Sequence, residues 1–189
     1  MENSNASAKN WLWAATQVCP QCGMDPSSIP TGDLSARLRT AAGAWRALLG
    51  RGDIVAQRPP AAEDTEVMWS ALEYGAHVRD ASRVLLDRLT LMLKKDNPTF
   101  PDWDQDQAAL DGSYQDDDPA KVAFHLASNV GKAADIVDRI RADRWARTGT
   151  RSDGAEFTVE TCVYYLLHEI IHHLHDAETG IEAMTGDEV

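Results

Sequence analysis

Apolar residues recur at spacings of three and four along four stretches of this chain, and that rhythm predicts four amphipathic helices. In the first, from Asp33 to Gly50, Leu34, Leu38, Ala41, Trp45 and Leu48 form the stripe, and Gly50 and Gly52 supply the stop. Thr65 is placed to cap a second helix running to about Lys95, with Met68, Leu72, Gly75, Ser82, Leu85 or Leu86, Leu89 and Met92 facing inward. Asn97-Pro98 closes it. Asp118 caps and Pro119 opens a third helix carrying Val122, Leu126, Val130, Ala133 or Ala134, Val137 and Ile140. Thr158 opens the fourth, with Glu160 near its positive end and Val163, Leu167, Ile170, Ile171 and Leu174 on the buried face.

No convincing alternating strand pattern appears, so the expected class is all-α, a four-helix bundle. Residues 1–30 read as an irregular arm carrying a Cys-x-x-Cys pair, with Trp11 and Trp13 as apolar pegs that dock it on the body. The bundle is expected over 31–180, followed by a flexible tail over 181–189. The segment 99–118 is acidic and bears aromatic residues. A loop of that length in a compact domain is usually functional or disordered. It would let the chain cross one end of the bundle.

Composition narrows the function. At 189 residues the chain fits one domain, and 43% apolar with 25% charged residues is ordinary for a globular protein. A net charge of −12, from 18 basic and 30 acidic side chains, repels phosphate backbones and argues against nucleic acid as a partner. There is no long apolar run for a membrane span, and Met1 to Asn10 lacks the order of a signal peptide. A cytoplasmic location, with a small molecule as substrate, follows by default.

Of six histidines, His168, His172, His173 and His175 fall close together. At roughly 100° per residue, His172 lies about 40° from His168, while His173 sits about 140° away and should face elsewhere. The i, i+4 pair His168 and His172 puts two imidazoles on one face, the separation at which two ring nitrogens can share a metal. Burying both without a partner is costly, so a metal or a hydrogen-bonding group is expected. The competing reading is a surface pair near a helix C-terminus, where positive charge is favoured. His77, mid-way along the second helix beside Gly75 and Ala76, offers a third nitrogen. Three protein ligands with an open position describe a catalytic metal, and imidazoles accept zinc foremost, with nickel, iron or cobalt as alternatives. His125 has no candidate neighbour and reads as a boundary residue.

The segment Trp69-Ser-Ala-Leu-Glu-Tyr-Gly-Ala-His77-Val-Arg-Asp80, followed by Leu167-His168-Glu-Ile-Ile-His172-His173, resembles the DinB-like superfamily over about Asp33 to Asp176. It is similar in particular to the actinobacterial-type members with a Cys-Pro-x-Cys-Gly start, a Trp-Asp-Gln-Asp loop and an Arg-Ser-Asp-Gly-x-x-Phe-Thr turn, here Cys19–Gly23, Trp103–Asp106 and Arg151–Thr158. The resemblance implies an up-down-down-up bundle, a dimer by family analogy, and one divalent metal on His77, His168 and His172. Many members show His-x-x-His-His, whereas this chain has one more residue before its His doublet. Relatives include thiol transferases using mycothiol or bacillithiol, a maleylpyruvate isomerase and some hydrolases. The resemblance implies chemistry at a metal without naming a substrate, and the first expectation is transfer of a mycothiol-like low-molecular-weight thiol to a small electrophile through a metal-bound thiolate. The alternatives are a hydrolase using metal-bound water and a non-enzymatic metal- or ligand-binding protein.

Around that centre, Glu73 lies one turn before His77 and suits a partner or general base, or else a solvated carboxylate. Asp176, one turn beyond His172, is a similar case. Tyr164, one turn before His168, lines the pocket or packs in the core. Trp103 would cover the site from the long loop, and Arg151 would bind a carboxylate of substrate or cofactor; both are otherwise exposed loop residues. The Cys19-x-x-Cys22 pair lacks a second pair at zinc-finger spacing and a βαβ setting for redox chemistry. It reads as a metal-binding or stabilising clip, joined by Cys162 or a histidine if it takes a second metal.

Overall fold

The computed structural model describes residues 11–60 and 68–186. The long helices are α1 (Leu34–Leu49), α2 (Ala71–Lys94), α4 (Pro119–Val137) and α5 (Val159–Thr185), and a short α3 (Gln105–Gly112) lies between α2 and α4. Each long helix buries most of the stripe that its periodicity marks, with Leu38, Trp45, Leu72, Leu89, Leu126, Leu167 and Ile170 at 2% exposure or less, whereas Ile171 and Leu174 are partly buried and Met68 and Ile140 fall outside their helices. Among these helices α2 packs on α4 and α5, while α1 packs on α4 and α5, so consecutive α1 and α2 occupy opposite corners.

Side-chain contacts fix the directions. Arg39, in the first half of α1, pairs with Asp135 and Asp138 at the end of α4, so these two run antiparallel. Cys162 lies against the Leu85 carbonyl and His77 against Glu169, so α2 and α5 are antiparallel as well. Tyr164 donates to the carbonyl of Ile29, ahead of α1, and Trp45 Nε1 donates to the Ile170 carbonyl near its end. Helices α1 and α5 are therefore parallel, and the order is up-down-down-up.

The expected start of α2 moves. Thr65 lies outside the described residues, and Ser70 is the observed cap: its hydroxyl accepts from Glu73 N while Glu73 accepts from Ser70 N, a reciprocal box that satisfies two terminal donors. The side chain of Trp11 is likewise not described. The end of α5 moves the other way. Gly180 was expected to mark the onset of a tail, yet the helix continues to Thr185, and Gly186 ends it at φ +70°. Gly180 is a packing position: a Cβ there would meet Pro59 Cγ at 2.9 Å. Residues 187–189 of the expected tail lie outside the described residues.

The segment 99–118 is also more ordered than expected. Asp104 caps α3 by accepting from Gln107 N, and Tyr114 beyond it is buried. A three-stranded sheet joins β1 (Thr99–Phe100), β2 (Thr148–Arg151) and β3 (Glu156–Thr158), with β1 parallel and β3 antiparallel to β2. Strands this short carry no readable alternation. Their register, Phe100 opposite Arg151 and Gly149 opposite Phe157, requires close approach at Gly149, where a Cβ would sit 2.7 Å from the Phe100 ring. Arg147 extends from the same hairpin and donates to the Met92 carbonyl in the last turn of α2. No helix among the described residues is long and apolar enough to cross a membrane.

Truncation of Leu126, which is fully buried on α4, removes contacts the bundle cannot refill. Leu126→Ala is expected to cost about 2–5 kcal/mol in denaturant unfolding. Phe124→Ala, at a 69% exposed position on the same helix, should stay within roughly 0.5 kcal/mol of wild type.

Candidate metal centre

Helix α5 is covered by α2 on one side and by the 3-10 turn Trp11–Ala15 of the arm on another, so a wide arc of its surface is interior. On that arc stand two ladders at i, i+4 spacing, His168 with His172 and Glu169 with His173. The structure distributes the three histidines of the sequence reading between them. His77 of α2 joins Glu169 and His173, their donor atoms all within 4.8 Å of one another; His168 and His172 instead join Cys19 and Cys22 within the same limit. The grouping of His77 with His168 and His172 is therefore replaced by two clusters. The physical reason is that α2 faces the Glu169 side of α5 and the arm faces the His168 side.

In the first cluster, one carboxylate oxygen is shared. Glu169 Oε2 lies 3.4 Å from His77 Nε2 and 3.5 Å from His173 Nε2. Glu169 and His77 are 7% and 3% exposed. Burial disfavours the Glu169 charge, yet His173 and His77 outweigh it and hold the carboxyl well below its usual range. Burial also presses on His173, but hydrogen bonding to Asp176 and Glu169 lifts its ring to about 9. His77, with burial as the larger influence, is pushed down and stays neutral. Asp176 Oδ2 lies 3.0 Å from His173 Nδ1, which leaves Nε2 aimed at Glu169.

Aromatic rings enclose this cluster. Trp103 stacks on His77 at 5.6 Å and 21°, Trp69 meets the same ring edge-on at 5.8 Å, and Tyr74 stacks on His173 at 5.5 Å. The loop after β1 thus brings Trp103 directly onto a cluster residue. Burial and the nearby Glu169 charge keep the Tyr165 phenol well above its ordinary range, so it remains a proton donor.

The other residues singled out from sequence stand elsewhere. Glu73 belongs to the α2 capping box and accepts from Arg58 and Ser70; burial opposes its charge, but these donors hold it below the usual range. These partners hold its carboxylate at the N-terminus of α2. Tyr164 donates its hydroxyl to the Ile29 carbonyl and ties α5 to the arm. Arg151 pairs with Asp153 and Asp102, which holds the β2–β3 turn beside the Trp103 loop. Cys162 is buried against Leu85, with its thiol pushed up to about 12 by burial, and joins neither cluster. His125 is exposed.

Sequence reasoning missed Glu169 and His173. Their i, i+4 spacing is the same as that of His168 and His172, and a carboxylate is as good a ligand as an imidazole for many divalent ions. What spacing cannot supply is which side of α5 meets α2.

The donor set fits a divalent cation. Two neutral-capable imidazoles and one ionised carboxylate converge, a second carboxylate orients one imidazole, and His77 Nδ1 is buried without a hydrogen-bond partner. Comparison with known proteins agrees at the level of fold and family. The sequence profile of the DinB superfamily matches residues 30–177. Among solved structures, YfiT from Bacillus subtilis is similar, with a TM-score of 0.70 at 14% identity over 91% of this chain and 95% of that one; it is described as a probable metal-dependent hydrolase with an unusual four-helix bundle topology. No curated protein matches. The family match starts after Cys19–Gly23, so the arm lies outside it. With the profile spanning most of its length, the chain belongs to the DinB superfamily.

Proposed function

We propose that this chain is a metal-dependent enzyme that holds one divalent ion, zinc foremost, on His77, Glu169 and His173 and joins a low-molecular-weight, mycothiol-like thiol to a small electrophile. The observation that carries the reading is the convergence of two imidazole Nε2 atoms on one buried carboxylate oxygen. Bound there, the ion would supply Lewis acidity, lowering the pKa of a nucleophile at its open position.

The chain's own residues do the rest. Asp176 fixes the tautomer and orientation of His173 through Nδ1. Trp69 and Trp103 pack against the His77 ring and exclude water from that side. Trp69, whose ring meets His77, also lines a cleft of about 340 Å³ with Tyr114 and Leu110 that has room for a small molecule. Hydrolysis is the second reading, and the description of YfiT favours it.

His77→Ala and Glu169→Gln are each expected to lose about one equivalent of bound metal per chain by elemental analysis. Retention of full metal by both variants sinks the centre. Turnover of an electrophile only with added thiol selects thiol transfer, and turnover in thiol-free buffer selects hydrolysis. Asp176→Asn should weaken binding at this centre by roughly 10–100-fold in a zinc titration.

The protonation of His173 makes a separate prediction. Its ring is raised to about 9 in the folded protein, so its contribution to stability is complete below roughly 6.5 and is lost as pH rises through 9. Thermal melts of chelator-treated protein should accordingly fall between pH 6.5 and 9, and His173→Gln should flatten that fall.

A further inference from the structure

The Cys19-Pro-Gln-Cys22-Gly23 segment forms a tight turn. Gly23 N donates to the Cys19 carbonyl and Cys19 N donates to the Met24 carbonyl, both at 2.9 Å, and Gly23 takes φ +72°, which glycine adopts without strain. Cys19 is fully buried and Cys22 half-buried. Both are free thiols. The turn presents them to α5 where His168 and His172 stand, their rings 4.9 Å apart and inclined by 28°.

His168 carries the second observation. It is 1% exposed, and neither Nδ1 nor Nε2 has a hydrogen-bond partner. Burial pushes its ring down to about 4, so it is a neutral imidazole with a lone pair to offer. Burying both nitrogens unsatisfied is costly, and a ligand that takes one lone pair removes most of that cost. His172 is held on two sides, with Nδ1 3.6 Å from Cys19 Sγ and Nε2 3.5 Å from Asp176.

We propose that Cys19, Cys22, His168 and His172 form a tetrahedral zinc site that clips the N-terminal arm to α5. All four donor atoms already lie within 4.8 Å of one another. With Zn–S near 2.3 Å and Zn–N near 2.0 Å, a tetrahedral sulfur-to-nitrogen edge is about 3.5 Å, close to the 3.6 Å between Cys19 and His172. Thiolate with imidazole selects zinc over calcium or magnesium, and four protein ligands close the coordination sphere, so this ion is structural. Asp176 reaches His172 with the same oxygen that orients His173, which places one carboxylate behind both clusters. The site does not depend on the enzymatic reading of the first cluster.

The test is cobalt substitution of the full-length chain with zinc quantified in parallel. Cobalt on cysteine sulfur gives an intense near-ultraviolet charge-transfer band. That band is expected in the wild type and in His77→Ala with Glu169→Gln, and it should vanish in Cys19→Ser with Cys22→Ser, along with about one equivalent of zinc. A wild-type spectrum without the band, or zinc content unchanged in the cysteine variant, overturns the proposal. Because the cysteine variant is liable to misfold, alkylation of wild type serves as a second measure. Cys19 and Cys22 should resist iodoacetamide until a chelator is added, whereas equal labelling with and without chelator overturns the site.

Discussion

A carboxylate buried between two helices of a bundle must be neutralised there, and Glu169 is that carboxylate. Its charge is offset by the protonated ring of His173, raised to about 9, and it lies 3.4 Å from Nε2 of the neutral His77 ring. This places positive charge at the spot where a divalent ion would take over. The contact also joins the first third of α2 to the first half of α5, so any ion bound there would cross-link two helices that are far apart in sequence. Neighbouring groups are committed to keeping that contact dry and aimed: Asp176 behind His173, Trp69 and Trp103 on His77, and Tyr74 on His173.

The same helix supports a second, chemically different cluster one residue out of step. His168 and His172 point to the arm, where sulfur is the partner, while Glu169 and His173 point to α2, where the partner is nitrogen. Four donors including two thiols close around an ion, whereas three donors of nitrogen and oxygen leave a position open. One helix thereby presents two donor clusters on neighbouring sides, with Asp176 touching both.

Small elements shape the surroundings of the cluster of His77, Glu169 and His173. The β1–β2 pairing fixes where the chain leaves α2, the Arg151 pairs with Asp102 and Asp153 set the following loop, and that loop delivers Trp103. Sequence patterning could not report this sheet, because strands of two to four residues show no period. Nor could it separate the capping role of Glu73 from a catalytic one, since both are met by a carboxylate one turn before His77.

Apolar stripes that need a shared core already spell out the four long helices, and the density of histidines on α5 singles that helix out as a candidate metal carrier. The sequence also singled out His77 and the Cys19–Cys22 pair as partners for metal. The pairing itself comes from how the helices and the arm pack. Residues 100° apart on a helix face different neighbours, and only the placement of α2 and the arm around α5 sends His77 to Glu169 and His173, and the two thiols to His168 and His172.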